Sequence, residues 1–526
     1  MPNSSSQHWL PRLAHCVLHS RTAAVCAVGA LSLMIGTLFV LVRFPQPGAH
    51  DEFSYLLAAD TFLEGRLANP PHPFWQHFET IHVIQQPTYA SKYQPGQGLL
   101  LALGTLLGGF PAAGAVIGTA LATAAVCWML GGWLPNRWAL VGGLFVALNQ
   151  SIVLNWTLSY WGGSLPLLGG ALMFGAMPRL LRSPRARDAI LLAGGAIVLA
   201  ATRPYEGFLV GIVISIALAW QLFVEQRFPW RTTLQKIVLP ATLVLAVGLA
   251  GLATYNNATT GSPFTLPYSV HEATYGYSPL FLWQSTPEEP AYRHEALREY
   301  QTGWGIQDYE QQRTLSGFFR AKVAGLRNLG SFYLGGPLAI SLLAIPWTLK
   351  NRHLRFVWIT LAVFLLAELA VPWMYPHYYA PIAPLLFLIV VEGLRYLRAS
   401  MHQYPKMRCV VPILLVWQVA LLGLLLGEYV GWQADGTRWE RARVVAQLKA
   451  TPEKDLVMVR YGSDHDPNAE WVYNRADIDA ADIVWAREMS PQDDRRLVGF
   501  FGDRKVWLLE ADAPEPAVVP YDDSNR

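Results

Sequence analysis

The chain has 526 residues, of which 52% are hydrophobic, 12% are aromatic and only 15% are charged. Length alone would allow several soluble domains, but this composition excludes them and points to the membrane. The net charge of +3 at pH 7 is too small to indicate nucleic acid as a partner. Apolar runs near the roughly 20 residues that cross a bilayer recur along the chain, which predicts an α-helical polytopic membrane protein.

The apolar runs predict eleven spanning helices. They are placed approximately at 23–42, 111–133, 138–154, 160–178, 188–202, 206–224, 237–255, 331–348, 355–371, 378–394 and 409–427. The run at 96–109 covers only about 21 Å of a roughly 30 Å core, so it is predicted to be interfacial or re-entrant. The first run has no clear A-x-A site after it, and we interpret it as a retained anchor rather than a cleaved signal.

Basic residues in short loops mark the cytoplasmic side of a membrane protein. With 96–109 not spanning, one side holds Arg12, Arg21, Arg137, Arg179, Arg182, Arg185, Arg187, Arg227, Arg231, Lys236, Lys350, Arg352, Arg355, Arg395, Arg398, Lys406 and Arg408. The short loops of the other side hold only Arg203. The N-terminus is therefore predicted to be cytoplasmic and the C-terminus extracytoplasmic.

Three longer segments then face the outside, at 43–95, 256–330 and 430–526. The last alternates strand-like runs such as "DLVMVRY" with helical and polar stretches, which predicts a small α/β domain. We divide the chain into a membrane module, 1–429, and this domain, 430–526.

The first outer loop opens with "HDEFSYLLAADTF", whose apolar residues recur at helical spacing. We expect an amphipathic helix at the outer interface, with Asp51 and Glu52 in its first turn. Both carboxylates favour a helix N-terminus, so capping alone is one explanation. A catalytic role is the other.

Further unusual residues fall on the same predicted side. Lys92 is either an anion-binding residue or a lysine at a lipid boundary, and Arg203 and Glu206 either serve a site or pair with each other. Candidates for substrate binding are Tyr160, Trp161, His377 and Tyr378. An aromatic belt is the alternative explanation for the cluster at 372–381, although a belt does not account for His377. His72, His77 and His82 recur every five residues, which fits neither a helix face nor a strand face, so no metal site is predicted there.

Carboxylates, cations and aromatics at the outer interface suit a membrane-dissolved phosphate ester. Cations stabilise a lipid-phosphate leaving group, and a carboxylate base activates an acceptor hydroxyl. Nucleotide sugars are cytoplasmic, so glycosyl transfer on this side needs a donor carried on lipid.

The stretches "HDEFSYLLAADTF", "SKYQPGQGLLLALG", "TRPYEGFLVG" and "PHYYAPIAPLL" resemble GT-C superfamily glycosyltransferases. The branch is that of polyprenyl-phosphate-dependent protein mannosyltransferases and aminoarabinose transferases, in a bacterial subgroup. The resemblance implies a GT-C-like fold and an inverting transfer, with Asp51 as base and Glu52 as a supporting carboxylate. It also implies donor-phosphate contacts from Lys92, Tyr93 and Arg203.

Two departures from the family pattern leave alternatives open. Gln94 and Pro95 stand where relatives often have two prolines, and Ser91 replaces the acidic residue before the lysine. A second carboxylate, if one is required, comes from Glu52, Glu79 or Glu206.

The expected partners are a polyprenyl-phosphate-linked sugar, membrane lipid and an envelope acceptor that is a protein, lipid or glycan. Lys92 and Arg203 favour chemistry without a metal, although a divalent ion stays possible. The predicted location is the bacterial inner membrane, with the C-terminal domain in the periplasm. The alternatives are a transporter or flippase, and a non-catalytic envelope assembly protein.

Overall fold

The computed structural model describes residues 15–400, 409–431 and 437–522. The α-helices are α1 Arg21–Val42, α2 His50–Leu63, α3 Gly96–Gly108, α4 Ala112–Trp133, α5 Asn136–Ala147, α6 Gln150–Trp156, α7 Ser164–Arg182, α8 Ala186–Ala200, α9 Pro204–Ala219, α10 Trp230–Thr233, α11 Leu239–Thr260, α12 Pro267–Tyr275, α13 Glu295–Glu299, α14 Gln307–Gln311, α15 Leu315–Leu334, α16 Ile345–Lys350, α17 Arg355–Glu368, α18 Ala383–Ser400, α19 Val410–Gly431, α20 Thr437–Leu448 and α21 Pro491–Phe500. Short 3₁₀ helices span Trp75–Phe78, Pro337–Ala344 and Arg352–Leu354, and π-helical turns span Trp220–Val224, Leu234–Val238 and Tyr300–Trp304. The strands are β1 Val83–Ile84, β2 Ala90–Ser91, β3 Asp455–Arg460, β4 Ile483–Arg487, β5 Lys505–Glu510 and β6 Val518–Pro520.

Several helices have the length and apolarity of membrane spans. Among the described residues 6 helices meet both criteria, or up to 8 when each of two bent pairs counts as one span. Each of the eleven predicted spans coincides with helical structure, but α8 and α17, at 15 and 14 residues, are shorter than the roughly 20 residues of a typical span. The predicted short helix at 96–109 is confirmed as α3, which has 13 residues.

Two predicted spans are wrong as single helices. The span at 138–154 is α5 and α6, which are bent by 50° at the break between them, and the span at 331–348 is also interrupted. α15 ends at Leu334, and Gly335 and Gly336 follow with φ of 54° and 73°. These left-handed conformations suit glycine and stop the helix. The chain then turns by 108° into the segment from Pro337 to Lys350.

The predicted cytoplasmic basic residues lie at one end of the bundle. α7 begins at Ser164 and carries Arg179 and Arg182 in its last turn, roughly 28 Å away along the helix axis. Arg182 donates to the carbonyl of Gly132, and Arg227 Nε donates to the carbonyl of Leu181 at 2.6 Å. The grouping of these residues follows the prediction, while the side of the membrane stays a prediction. Arg12, Lys406 and Arg408 lie outside the described residues.

The C-terminal part forms a four-stranded sheet in the order β4-β3-β5-β6. β3 is parallel to both β4 and β5, and β6 is antiparallel to β5. With α20 and α21 beside these strands, the predicted α/β structure is confirmed. The domain boundary at residue 430 stays a prediction, because 432–436 are outside the described residues.

The C-terminal sheet packs on the first outer loop through α2. The ring of Tyr473 stacks on Phe53 with centroids 4.1 Å apart, and Arg475 Nη2 donates to Asp60 Oδ1 at 2.6 Å. Most of α2, including Tyr55 and Leu57, is buried inside the protein. The helix was expected on the membrane surface, but most of its apolar residues are covered by protein, and Leu63 at its end is exposed.

Candidate active site

A two-stranded hairpin places His82 and Lys92 opposite each other. β1 and β2 pair antiparallel, and beyond their ends the Lys92 amide donates to the His82 carbonyl at 3.3 Å. The Ser54 hydroxyl donates to the same carbonyl at 2.7 Å, and it lies 2.7 Å from the Ser91 hydroxyl. Because Ser54 is three residues after Asp51 on α2, these bonds fix the hairpin beside the Asp51 carboxylate.

Asp51 has one oxygen held by the protein. Tyr93 donates its hydroxyl to Oδ1, and His82 Nδ1 lies 3.1 Å from the same oxygen. No hydrogen bond reaches Oδ2 from residues 15–400, 409–431 or 437–522, and the side chain is 21% exposed. Burial by itself raises the pKa of Asp51, but the His82 ring and the Lys92 ammonium outweigh it and hold the pKa well below its usual value. The carboxylate is therefore ionised and presents a free oxygen.

Lys92 is buried and makes an ion pair with a carboxylate of the second outer loop. Its Nζ lies 3.4 Å from Glu272 Oε1, which is also 3.1 Å from His271 Nδ1. Burial opposes the charge of Glu272, but Lys92 and then His271 lower the pKa of its carboxyl to about 2. The ammonium also lies 5.1 Å from the centroid of the Tyr268 ring. The Lys92 ammonium is thus held near Asp51 as an ion pair with Glu272.

Glu52 points away from Asp51 and is fully buried. Its Oε2 accepts from the amides of Gly48 and Ala49 at 2.9 and 3.0 Å and from Arg438 Nη2 at 3.1 Å. Its Oε1 accepts from the Tyr160 amide at 3.0 Å. These bonds join the start of α2 to the loop before α7 and to α20.

Glu79 is also occupied by protein groups. Tyr275 donates its hydroxyl to one oxygen and Arg293 donates to the other, both at 2.9 Å. Glu206 is buried in the first turn of α9. Of the carboxylates considered in the sequence, Glu52 and Glu79 are held by protein groups. Asp51 keeps an oxygen that the described protein groups leave free, and it is the carboxylate that the Lys92 ammonium acts on.

The predicted aromatic residues form a cluster at the same end of the bundle. Arg203 lies over the ring of Tyr378, with Cζ 4.5 Å from the centroid. The rings of Trp161 and His377 are 5.3 Å apart. His377 lies near Asp51 and contributes to the lowered pKa of the Asp51 carboxyl. These clustered aromatic rings suit a sugar ring or an isoprenoid chain beside the two cations.

The three histidines of the first loop separate in space. His72 Nε2 lies 2.9 Å from Asp479, His77 Nε2 lies 3.4 Å from Asp494, and His82 contacts Asp51. Across the described part of the chain, no group of three His, Cys, Asp or Glu side chains is placed to hold a metal ion.

Five residues of the site were not selected from the sequence as site residues. His50 Nδ1 lies 2.7 Å from the Tyr473 hydroxyl, and His82 Nε2 lies 3.3 Å from the Tyr300 hydroxyl. His82 was considered only as a metal ligand, although its position in the first loop marked it. Tyr300, Tyr473 and Glu272 lie in distant segments, and the charged pair His271–Glu272 in an aromatic stretch was the only signal for the last.

Solved structures give the relatives of this fold. The chain is similar to ArnT from Cupriavidus metallidurans bound to undecaprenyl phosphate, with 13% identity, 92% of each chain covered and a TM-score of 0.52. It is also similar to the Archaeoglobus fulgidus oligosaccharyltransferase in complex with Zn and sulfate, with 11% identity, 81% of this chain covered and a TM-score of 0.47. The chain spans 60% of that protein's length. No protein-family model matches the sequence, and no curated protein does. The likeness to ArnT shows that the chain shares the fold of that structure, which confirms the predicted fold class.

Proposed function

We propose that this chain, which has the GT-C fold, is an integral-membrane glycosyltransferase. It moves a sugar from a polyprenyl-phosphate donor to a hydroxyl of an envelope acceptor, with inversion at the anomeric carbon. The site lies on the periplasmic side of a bacterial inner membrane. The observation that carries the proposal is an ionised Asp51 with a free Oδ2 beside the buried cation of Lys92.

The reaction assigns a role to each group. The acceptor hydroxyl attacks the anomeric carbon, its proton moves to Asp51 Oδ2, and the bond from carbon to phosphate oxygen breaks. The electron pair leaves with the phosphate, whose charge Lys92 and Arg203 stabilise. The ArnT structure of the same fold contains undecaprenyl phosphate, which is a lipid phosphate of the required kind.

The remaining predicted residues bind or orient. The sugar or lipid packs on the aromatic faces of Trp161, His377 and Tyr378. Glu206 lies near Arg203 and favours its charged form. Tyr93 was predicted to contact the phosphate, but its hydroxyl donates to Asp51, and we assign it to holding that carboxylate. Glu52 and Tyr160 hold the start of α2 in place.

Transfer of a labelled sugar from polyprenyl phosphate to extracted envelope acceptors tests the proposal. We expect Asp51→Asn to lower kcat by about 10²- to 10⁴-fold, the usual contribution of a positioned base. Glu64→Gln, which removes a carboxylate just after the C-terminal end of α2, is the matched control and keeps wild-type transfer. Unchanged transfer in Asp51→Asn removes Asp51 from the mechanism. No transfer with any lipid donor would favour a transporter or an assembly protein.

A further inference from the structure

His82 has a backbone conformation outside the two regions that most residues occupy. Its φ is +64°, in the left-handed region that residues other than glycine rarely occupy. Such a conformation persists where the surrounding structure fixes it. Here the His82 carbonyl accepts from both the Ser54 hydroxyl and the Lys92 amide, at 2.7 and 3.3 Å. The fold therefore holds the ring of His82 in one place.

Both ring nitrogens of His82 face polar partners. Nδ1 lies 3.1 Å from both Asp51 Oδ1 and the Tyr93 hydroxyl, and Nε2 lies 3.3 Å from the Tyr300 hydroxyl. The side chain is only 10% exposed. A tyrosine hydroxyl that donates to Nε2 leaves the single proton of a neutral imidazole on Nδ1, where it faces the carboxylate and the Tyr93 hydroxyl that donates to that carboxylate.

We propose that Tyr300 and His82 are positioning residues that orient Asp51 by fixing the His82 tautomer. This inference rests on the proposed transfer, in which Asp51 is the base. The Nδ1–H group and the Tyr93 hydroxyl both lie at Oδ1, so Oδ2 is the oxygen that receives the acceptor proton. The oxygen–carbon bond to the acceptor forms as the carbon–oxygen bond to phosphate breaks, and the leaving phosphate keeps the electron pair.

The charge of the surroundings agrees with a neutral His82. Burial, and then the Lys92 ammonium, lower the pKa of His82 to about 4, which outweighs the opposite effect of Asp51. The ring is therefore neutral near pH 7 and has one proton to donate. The titratable groups that face it from the neighbouring segments are His50, Asp51, Lys92, Tyr93, His271 and Tyr300.

Two variants of the same shape separate donation from packing. Asn and Asp both tolerate a positive φ. His82→Asn offers an N–H to Asp51, whereas His82→Asp offers only oxygen. We expect His82→Asn to keep kcat within about tenfold of wild type and His82→Asp to lose about 100-fold or more, with little change in the donor KM. Tyr300→Phe, which frees the tautomer, is expected to lower kcat about tenfold and to move the acidic limb of the pH–rate profile to higher pH.

The control is His353→Asn, at the far end of α17 from the site, which keeps wild-type kinetics. Equal kcat in His82→Asn and His82→Asp would overturn the inference while leaving the proposed function intact. Binding of undecaprenyl phosphate checks that both variants keep a folded donor site.

A second measurement does not depend on activity. Nitrogen NMR of ¹⁵N-histidine in the full-length protein in bilayers, with His82→Asn for assignment, reports the tautomer directly. A protonated Nδ1 and a bare Nε2 at pH 7, mixed in Tyr300→Phe, support the inference even if no sugar is transferred. A protonated Nε2 in the wild type overturns it.

Discussion

Asp51 and Glu52 are adjacent in the sequence, yet their carboxylates have different surroundings. Successive helical residues point about 100° apart. Asp51 therefore faces the hairpin of β1 and β2, and Glu52 faces the loop before α7. Glu52 accepts four hydrogen bonds and is buried, while Asp51 keeps an open oxygen. Glu52 therefore holds the structure in place, and Asp51 is placed to accept a proton.

Glu52→Gln tests this division. The amide loses the charge that pairs with Arg438 and places a donor near amides that also donate, so we expect a loss of about 1–3 kcal/mol in stability. We expect kcat per folded molecule to fall by less than about tenfold, well below the effect of removing a base. Thermal unfolding by fluorescence, measured beside sugar transfer, checks both. A large loss of kcat with an unchanged unfolding temperature would assign Glu52 to the chemistry.

Glu272→Gln tests the carboxylate beside Lys92. Glu272 is ionised and 3.4 Å from the ammonium, so it competes with a donor phosphate for the same cation. Removing one like charge at an effective dielectric constant near 20 is expected to tighten binding of undecaprenyl phosphate about tenfold. Fluorescence titration measures the affinity, with the exposed Glu289→Gln of the same loop as control. Weaker binding in Glu272→Gln would show that Glu272 instead positions Lys92.

At the residue scale, the sequence predicted the groups whose type and place were both unusual. Asp51 and Lys92 are charged residues beside apolar runs. Placing a charge near the membrane costs free energy, which is why both residues were selected as candidates. His82, Tyr300 and Glu272 became part of the site only through a hairpin and a distant helix. Single-sequence periodicity carries no information on such long-range contacts.

Elements were predicted best where apolar length decides them. Helical structure lies at every predicted span, because about 20 apolar residues in a membrane have few other stable forms. The break at Gly335 was missed because hydropathy does not register backbone conformation. The burial of α2 was missed because an apolar face fits a protein surface as well as a lipid surface.

The close contact between α7 and the loop before α18 predicts the effect of one substitution, Gly170→Ala. A Cβ at Gly170 would lie 1.8 Å from the Pro381 carbonyl, which is backbone and follows the His377–Tyr379 segment. Gly170→Ala is therefore expected to cost about 1–3 kcal/mol in stability by overpacking. It should also lower transfer, because it displaces His377 and Tyr378.

Gly194→Ala in α8 is the matched control for that substitution. A Cβ there meets nothing within 4 Å, so the helix gains up to about 1 kcal/mol from the better helix former. Both variants are measured by thermal unfolding and by sugar transfer. Equal stability of the two would contradict the close approach of α7 to Pro381.

At the scale of the whole molecule, the site forms where three distant segments meet. The first loop supplies Asp51 and His82, the second supplies Tyr300 and the C-terminal part supplies Tyr473. The C-terminal α/β part is therefore packed against the site through His50 and Phe53, and it is not a separate module attached to the bundle.

This shared interface predicts how stability depends on pH. Burial is the main cause that lowers the pKa of His50 from 6.5 to about 3 and of His82 from 6.5 to about 4. The unfolded chain protonates both rings as the pH falls below 6.5, while the folded chain does not, so the unfolded state is favoured by acid. We expect stability to fall by about 1.4 kcal/mol per pH unit for each ring between about pH 6 and pH 4. Unfolding temperatures from pH 7.5 to 4.5 measure this dependence of stability on pH. His82→Asn should reduce the slope by the contribution of one proton, whereas the exposed His353→Asn should leave it unchanged. An equal slope in wild type and His82→Asn would mean that the His82 ring is already protonated in the folded protein.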